Sequence, residues 1–220
     1  MSDDQIHIAV ESHPILRPAA FTTLFTKPLG EMETPAWVTD LLSLEAEAPL
    51  QREEAVRLRV RDMLRHWGHK PAGRGKPAAE YLVRAVGEGA LDSINVAVDI
   101  LNVVSLHSGF SIALVDLELA RPTFRVAPGP EDGTYVFNAS GQEMALKGLI
   151  CLYDNQGPCG NPVKDAMRVK TRPETTQTMT IVWGAEGFED RRDKAVAWYR
   201  EMLDRVGGRT EIVPVMRSDD

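Results

Sequence analysis

Asn95, Asp99 and Asn102 stand four and three residues apart in a stretch, residues 92–116 (DSINVAVDILNVVSLHSGFSIALVD), that is otherwise almost wholly apolar. On a helix those offsets bring all three side chains onto one narrow stripe. A carboxylate flanked by two carboxamides can hold a small polar ligand or a water. If burial raises its pKa, it can also act as a general base. Asp99 is therefore a candidate catalytic group, and Asn95 and Asn102 are candidate ligand contacts. The remaining faces, formed by Ile94, Val96, Ala97, Val98, Ile100, Leu101, Val103, Val104 and Leu106, carry too little polar surface to meet solvent. The stripe must then be buried or line a pocket, where each unpaired polar group would cost about 1–3 kcal/mol. Two readings remain open: a structural network that anchors neighbouring loops, or the floor of a binding cleft.

Other residues could complete such a cleft. Asp116 ends a β-type run and is a second candidate base, or else caps the turn that follows. Arg125 lies in another β-type run, where it either orients a carboxylate or snorkels from a sheet face. Asp154 precedes the turn-forming DNQGP segment. In KDAMRVKT, Lys164, Arg168 and Lys170 alternate with other residues up to Thr171, so a strand here would show several cations on one face. Asn95, Asn102, Arg125, Asp154, Lys164, Arg168 and Thr171 are the expected substrate-binding set, with Asp99 and Asp116 as the expected catalytic pair. No G-x-S-x-G elbow is present, neither cysteine has a recognisable catalytic setting, and Gly68 separates His66 from His69. Neither a metal nor another cofactor is expected.

Positive charge is concentrated away from this stripe. The chain of 220 residues carries a net charge of −7, which argues against a general nucleic-acid coat protein. Residues 52–76 are nonetheless locally basic, holding Arg52, Arg57, Arg59, Arg61, Arg65, Lys70, Arg74 and Lys76 against Glu53, Glu54 and Asp62. Arg57, Arg61 and Arg65 form a row beside a helical apolar stripe of Val56, Val60, Met63, Leu64 and Trp67. Such a row reads as a solvated face with local ion pairs or as a backbone contact for nucleic acid. The HKPAGRGK loop that follows, with Lys70, Arg74 and Lys76, leads into Pro77 at the first position of a helix, a plausible phosphate cradle. The Arg row and the loop together are the candidate nucleic-acid contact.

These groups are positioned by a mixed set of elements. Short strands are expected near Ile6, Ile8 and Val10 and over residues 19–25, then helices from Pro35 through Leu42, from Val56 to Trp67, and through Ala78, Leu82 and Val86. After the central helix come β-type runs at residues 112–115, 123–127, 134–137, 149–153, 167–171 and 178–183. Residues 189–206 return to helical spacing, and residues 211–215 read as a last strand. With 43% hydrophobic and 26% charged side chains, the chain can bury one large core. Cys151 and Cys159 read as reduced thiols. The opening MSDDQIHIAV has neither a basic leader nor a signal-peptide core, so a cytoplasmic protein without a membrane span is expected.

The central segment resembles the tRNA-editing domain, called the B three/four domain, of the phenylalanyl-tRNA synthetase beta subunit. The residues that carry the resemblance are Ser93, Ile94, Val98, Asp99, Asn102, Val104, Leu106, Gly109 and Asp116, in the pattern S-I-x-x-x-V-D-x-x-N-x-V-x-L-x-x-G with a following Asp. The similarity covers roughly residues 70–183, and the preceding GRGKPAAEYLVRAVGEG is similar as well. It implies an α+β fold of mixed, sandwich-like β-sheets packed with helices. It implies one editing-like domain over residues 1–220, with a strand and helix extension over 1–68 and a C-terminal helix and strand over 189–215. It also implies an aminoacyl-tRNA partner and either hydrolysis of mischarged aminoacyl-tRNA in trans or a noncatalytic RNA- or amino-acid-binding module that kept the fold. No metal or covalent intermediate is implied. Two positions depart from the family pattern: Ala113 stands where the editing pocket has histidine, and Asp92, readable as a helix N-cap, stands where it has arginine. Tyrosine specificity is therefore not carried over, and the oligomeric state stays open.

Overall fold

The computed structural model describes residues 6–218, so the first half of the MSDDQIHIAV opening lies outside the described residues. Its elements in chain order are β1 (Ile8–Val10), β2 (Ala19–Phe25), α1 (Ala36–Thr39), α2 (Glu54–Arg65), α3 (Ala78–Gly87), α4 (Val96–Ser108), β3 (Ile112–Asp116) and β4 (Phe124–Pro128). There follow β5 (Thr134–Val136), β6 (Glu143–Ala145), β7 (Ile150–Asp154), β8 (Gly157–Gly160), β9 (Gln177–Val182), α5 (Glu189–Arg205), β10 (Gly208–Val213) and β11 (Val215–Arg217). The architecture is mixed α+β, with several sheets packed against helices.

One five-stranded sheet has the order β11-β1-β4-β7-β8, in which β1 runs parallel to both neighbours and β4, β7 and β8 are antiparallel. A four-stranded antiparallel sheet has the order β10-β2-β9-β3, and β5 and β6 form a separate hairpin. Strands β3 (IALVD) and β7 (ICLYD) are buried along their whole length, which explains their apolar character up to the final aspartate. The open edges of the two larger sheets, β3 and β8, lie against each other.

Helix α4 is the central rod expected from its composition. Val96, Ala97, Ile100, Val103, Val104 and Leu106 are all buried, packed by α1, α3, α5 and β3. Gly109 ends it in the left-handed region at φ 82°, a conformation that L side chains adopt only with strain, and its N–H returns to the Ser105 carbonyl at 3.0 Å. Helix α5 turns Ala195, Val196, Trp198, Tyr199, Met202 and Leu203 inward over β2 and β10, with Tyr199 edge-on to Phe21.

Several expectations need correction. Helix α4 begins at Val96 with Asn95 as its cap, so Asp92 is not the cap. Residues 167–171 do not form a strand: Met167–Val169 is a single 3-10 turn that lifts the following residues out of any sheet. The C-terminal strand is two strands, because Pro214 ends β10 and lets β11 pair with β1 in the other sheet. His107 donates from Nε2 to the Leu41 carbonyl 2.8 Å away, tying α4 to the segment after α1. No helix among the described residues is long and apolar enough to cross a membrane.

Candidate functional site

The upper end of the polar stripe opens on a cavity of about 300 Å³ lined by Leu29, Gly30, Met32, Thr34, Ser93, Ile94, Asn95, Thr171, Arg172 and Pro173. Asn95 serves two elements at once. Its Oδ1 accepts from the Val98 N–H at 3.1 Å, capping α4, and its Nδ2 donates to Thr171 Oγ1 at 3.1 Å. Beneath it Asp99 is fully buried: Thr34 and Ser93 hydroxyls each donate to Oδ2 at 2.5 Å, and the Ile94 N–H donates to Oδ1 at 3.1 Å. The Asp99 carboxylate therefore stitches two lining loops to the helix and has no open face toward the cavity. Asn102, two helical turns below Asn95, is half-buried and does not line it. We expect Asn95→Ala to lower stability by about 1–2 kcal/mol through loss of the cap. Urea denaturation measures this, and the Thr171 loop should become more susceptible to proteolysis.

The other expected cleft residues are dispersed. Asp116 is fully buried and accepts from the Glu118 N–H at 2.8 Å and the Thr175 hydroxyl at 2.6 Å, with Arg172 Nε at 3.5 Å. That arrangement is a turn cap and loop anchor, and it leaves no path for a substrate. Asp154 and Arg168 come together, but as a two-pronged ion pair at 2.7 and 2.8 Å. Arg168 also donates to the Gly157 and Pro158 carbonyls, so the pair clamps the β7–β8 turn. Arg125 lies away from all of these, stacked at 3.9 Å on Tyr153 with Glu11 at 3.7 Å.

The basic residues divide into two groups. In the helix row, Arg57 pairs with Glu54, Arg61 with Glu80 at 2.5 and 2.6 Å, and Arg65 with Asp62 at 2.6 Å. The local-pairing reading of that row describes what its side chains do. The loop cations differ. Lys70 and Arg74 join Lys147 and Lys164 around a groove of about 840 Å³ that also presents His69, Tyr81, Phe137, Gln142 and Met144. Among the described residues, Lys70, Arg74, Lys164 and Lys170 have no carboxylate oxygen within 4.0 Å. Burial, with repulsion from Arg74 and Lys170, holds the Lys164 ammonium below the usual lysine pKa range. Lys76 is half-buried and lies just beyond the lining. Glu143 also lines the groove and Lys147 is paired with Glu131, so the excess positive charge rests on Lys70, Arg74 and Lys164, and such an excess attracts anions.

No protein-family model matches the chain, and no curated protein matches it. Among solved structures, the chain is similar to an N-terminal fragment of the phenylalanyl-tRNA synthetase beta subunit from Pyrococcus horikoshii, with a TM-score of 0.55 and 11% sequence identity. The match covers 98% of this chain and 53% of that one, so the chain spans about half the length of the structure it resembles. The likeness is one of fold.

Asp165 is a buried carboxyl at a position where the sequence gives no clear signal of burial. It sits at the junction of the two sheet edges, where its Oδ2 accepts from the Leu114 N–H of β3 at 3.2 Å. Its Oδ1 is buried without a hydrogen-bond partner, close enough to Gly160 that a Cβ there would approach it to 2.9 Å. Burial pushes its carboxyl up to about 7. The signal available in the sequence, an aspartate between Lys164 and Lys170, points instead to a solvated charged face. Cys151 and Cys159 are buried free thiols, the first pushed up to about 12 by burial. Among the described residues, no three His, Cys, Asp or Glu side chains are grouped to hold a metal.

Proposed function

We propose that this chain binds tRNA through the groove between the 69–76 loop, α3 and the β5–β6 hairpin. The observation that carries the reading is the set of cations lacking carboxylate partners, Lys70, Arg74 and Lys164, beside the half-buried aromatic lining of Tyr81 and Phe137. Phosphates supply the missing counter-charge, and release of condensed counterions makes such binding salt-dependent. The fold likeness to a fragment of a tRNA synthetase subunit supports the choice of tRNA among polyanions.

The cavity at the start of α4 favours a second reading, hydrolysis of an aminoacyl ester in trans. Its volume of about 300 Å³ is at the lower end of the range of small-ligand pockets. Ser93, Asn95, Thr171 and Arg172 offer hydroxyl, amide and guanidinium contacts to an amino acid. The oxygen of a water would bond to the acyl carbon as the ester C–O bond breaks, one water proton going to the leaving ribose oxygen and the other to solvent as the amino acid leaves as a carboxylate. Asp99 and Asp116 would act by holding the lining loops, because both carboxylates are already engaged. Incubation with a panel of mischarged tRNAs, following tRNA binding and amino-acid release together, tests both readings. Binding that weakens steeply with salt, without release, supports a noncatalytic binder. Release abolished by Asn95→Ala supports the hydrolase. Failure to bind any tRNA at low salt rejects both.

A further inference from the structure

The groove contains an arrangement that specifies which form of nucleic acid it takes. Phe137 follows strand β5 and is held in a hairpin turn, its N–H donating to the Gln142 carbonyl at 3.0 Å. The turn itself is tied by Asn138, whose Oδ1 accepts from the Gln142 N–H and the Ser140 hydroxyl, each at 3.0 Å. Phe137 is thus an aromatic face on a preorganised support. In the free protein that face is occupied by Lys164, whose Nζ lies 3.8 Å from the Phe137 ring centroid and 5.8 Å from that of Tyr81. The ammonium is poorly placed: it is partly desolvated and is repelled by Arg74 and Lys170.

Resting on the tRNA-binding reading, we propose that Lys164 is a placeholder that leaves Phe137 for a phosphate when an unpaired nucleotide enters, so that the exposed base stacks on the vacated ring. Two features favour this exchange. Moving the ammonium from a ring to a phosphate replaces a weak attraction with a charge-assisted hydrogen bond and relieves the repulsion from its cationic neighbours. An aromatic face then becomes free at the moment when backbone contacts form. Stacking requires the flat face of a base, which a duplex keeps covered by its own neighbouring pairs, so the site selects single-stranded over double-stranded RNA. Lysine at position 164 therefore supplies a backbone contact and keeps the ring covered until that contact is available.

The test is fluorescence anisotropy of a labelled single-stranded RNA and of the same sequence in duplex form, titrated with the full-length protein. Phe137→Leu retains apolar bulk without a π face and is expected to weaken single-strand binding about tenfold while leaving duplex binding and the salt slope unchanged. Phe137→Trp is expected to restore single-strand affinity and to show quenching of the new indole on binding. Lys164→Met should lower the salt slope by about one phosphate contact. If Phe137→Leu changes neither affinity, or weakens both equally with the circular dichroism spectrum intact, the placeholder proposal is overturned while tRNA binding stands. If the wild-type protein binds neither RNA, the tRNA-binding reading fails and the proposal falls with it.

Discussion

Arg168→Ala is expected to destabilise the protein by about 3–5 kcal/mol, as measured by urea denaturation at neutral pH. The Asp154 side chain is fully buried, and Arg168 supplies its only cation within 4.0 Å among the described residues. Burial acts to raise the Asp154 carboxyl, but hydrogen bonds from Arg168 and from the Gln156 and Arg121 N–H groups outweigh it and hold the carboxyl below its ordinary range. Without the guanidinium, a buried carboxylate keeps two backbone donors and loses its counter-charge, while the Gly157 and Pro158 carbonyls lose a donor. Removing both partners, in Asp154→Ala with Arg168→Ala, should restore part of the loss because no charge is left stranded. The pH dependence carries a sign. A carboxyl with a depressed folded-state pKa contributes stability that is present above its unfolded value and lost as pH falls toward the folded one. That acid-labile component should disappear in Arg168→Ala. A loss below about 1 kcal/mol would mean that the clamp does not hold the β7–β8 turn.

Asp165→Asn is expected to act in the opposite direction and to change the pH profile. The carboxyl is raised from 3.8 to about 7 in the folded protein. Between those values the unfolded chain has released its proton while the folded protein retains it, so stability falls as pH rises from about 4 to 7, by about 4 kcal/mol in all. His13 works against this slope. Burial, then repulsion from His66, lowers its pKa from 6.5 to about 4, outweighing the raising effect of the Met63 carbonyl. The unfolded chain then takes up a proton below pH 6.5 that the folded protein refuses, and stability rises across about pH 4 to 6.5. The two opposed groups flatten the wild-type profile. Asn at position 165 removes the Asp165 component, so the variant should be more stable than wild type above pH 7 and should gain stability steeply between pH 4 and 6.5. Thermal melts across that range check this, and an unaltered profile in the variant would contradict it.

The elements were legible where a single physical requirement dominated. A helix apolar on most of its faces could only be the buried centre, and the fully buried strands β3 and β7 read as apolar runs up to a final aspartate. Along the central stripe, Asn95 borders a cavity and Asp99 joins its loops, whereas Asn102 does not line it. What could not be read was which polar groups would find partners at long range. Thr34 reaches Asp99 across 65 residues of sequence and Thr175 reaches Asp116 across 59, so both carboxylates looked available when each was already engaged. The Arg row is the same lesson in charge: Glu80, on the next helix, neutralises Arg61 and approaches Arg57. Strand β8 (GPCG) has almost no β-type signal, because its place is fixed by pairing with β7 and not by its own residues. Without β8, the junction that buries Asp165 was invisible.

Which cations meet nucleic acid is measured most directly by the salt dependence of tRNA affinity in two triple variants. Alanine at Lys70, Arg74 and Lys164 should weaken binding at low salt and reduce the slope of log affinity against log salt by about two to three phosphate contacts. Alanine at Arg57, Arg61 and Arg65, which are already paired with Glu54, Glu80 and Asp62, should leave that slope nearly unchanged in whatever fraction remains folded. An unchanged slope in the groove variant, with a large loss in the helix-row variant, would contradict the account.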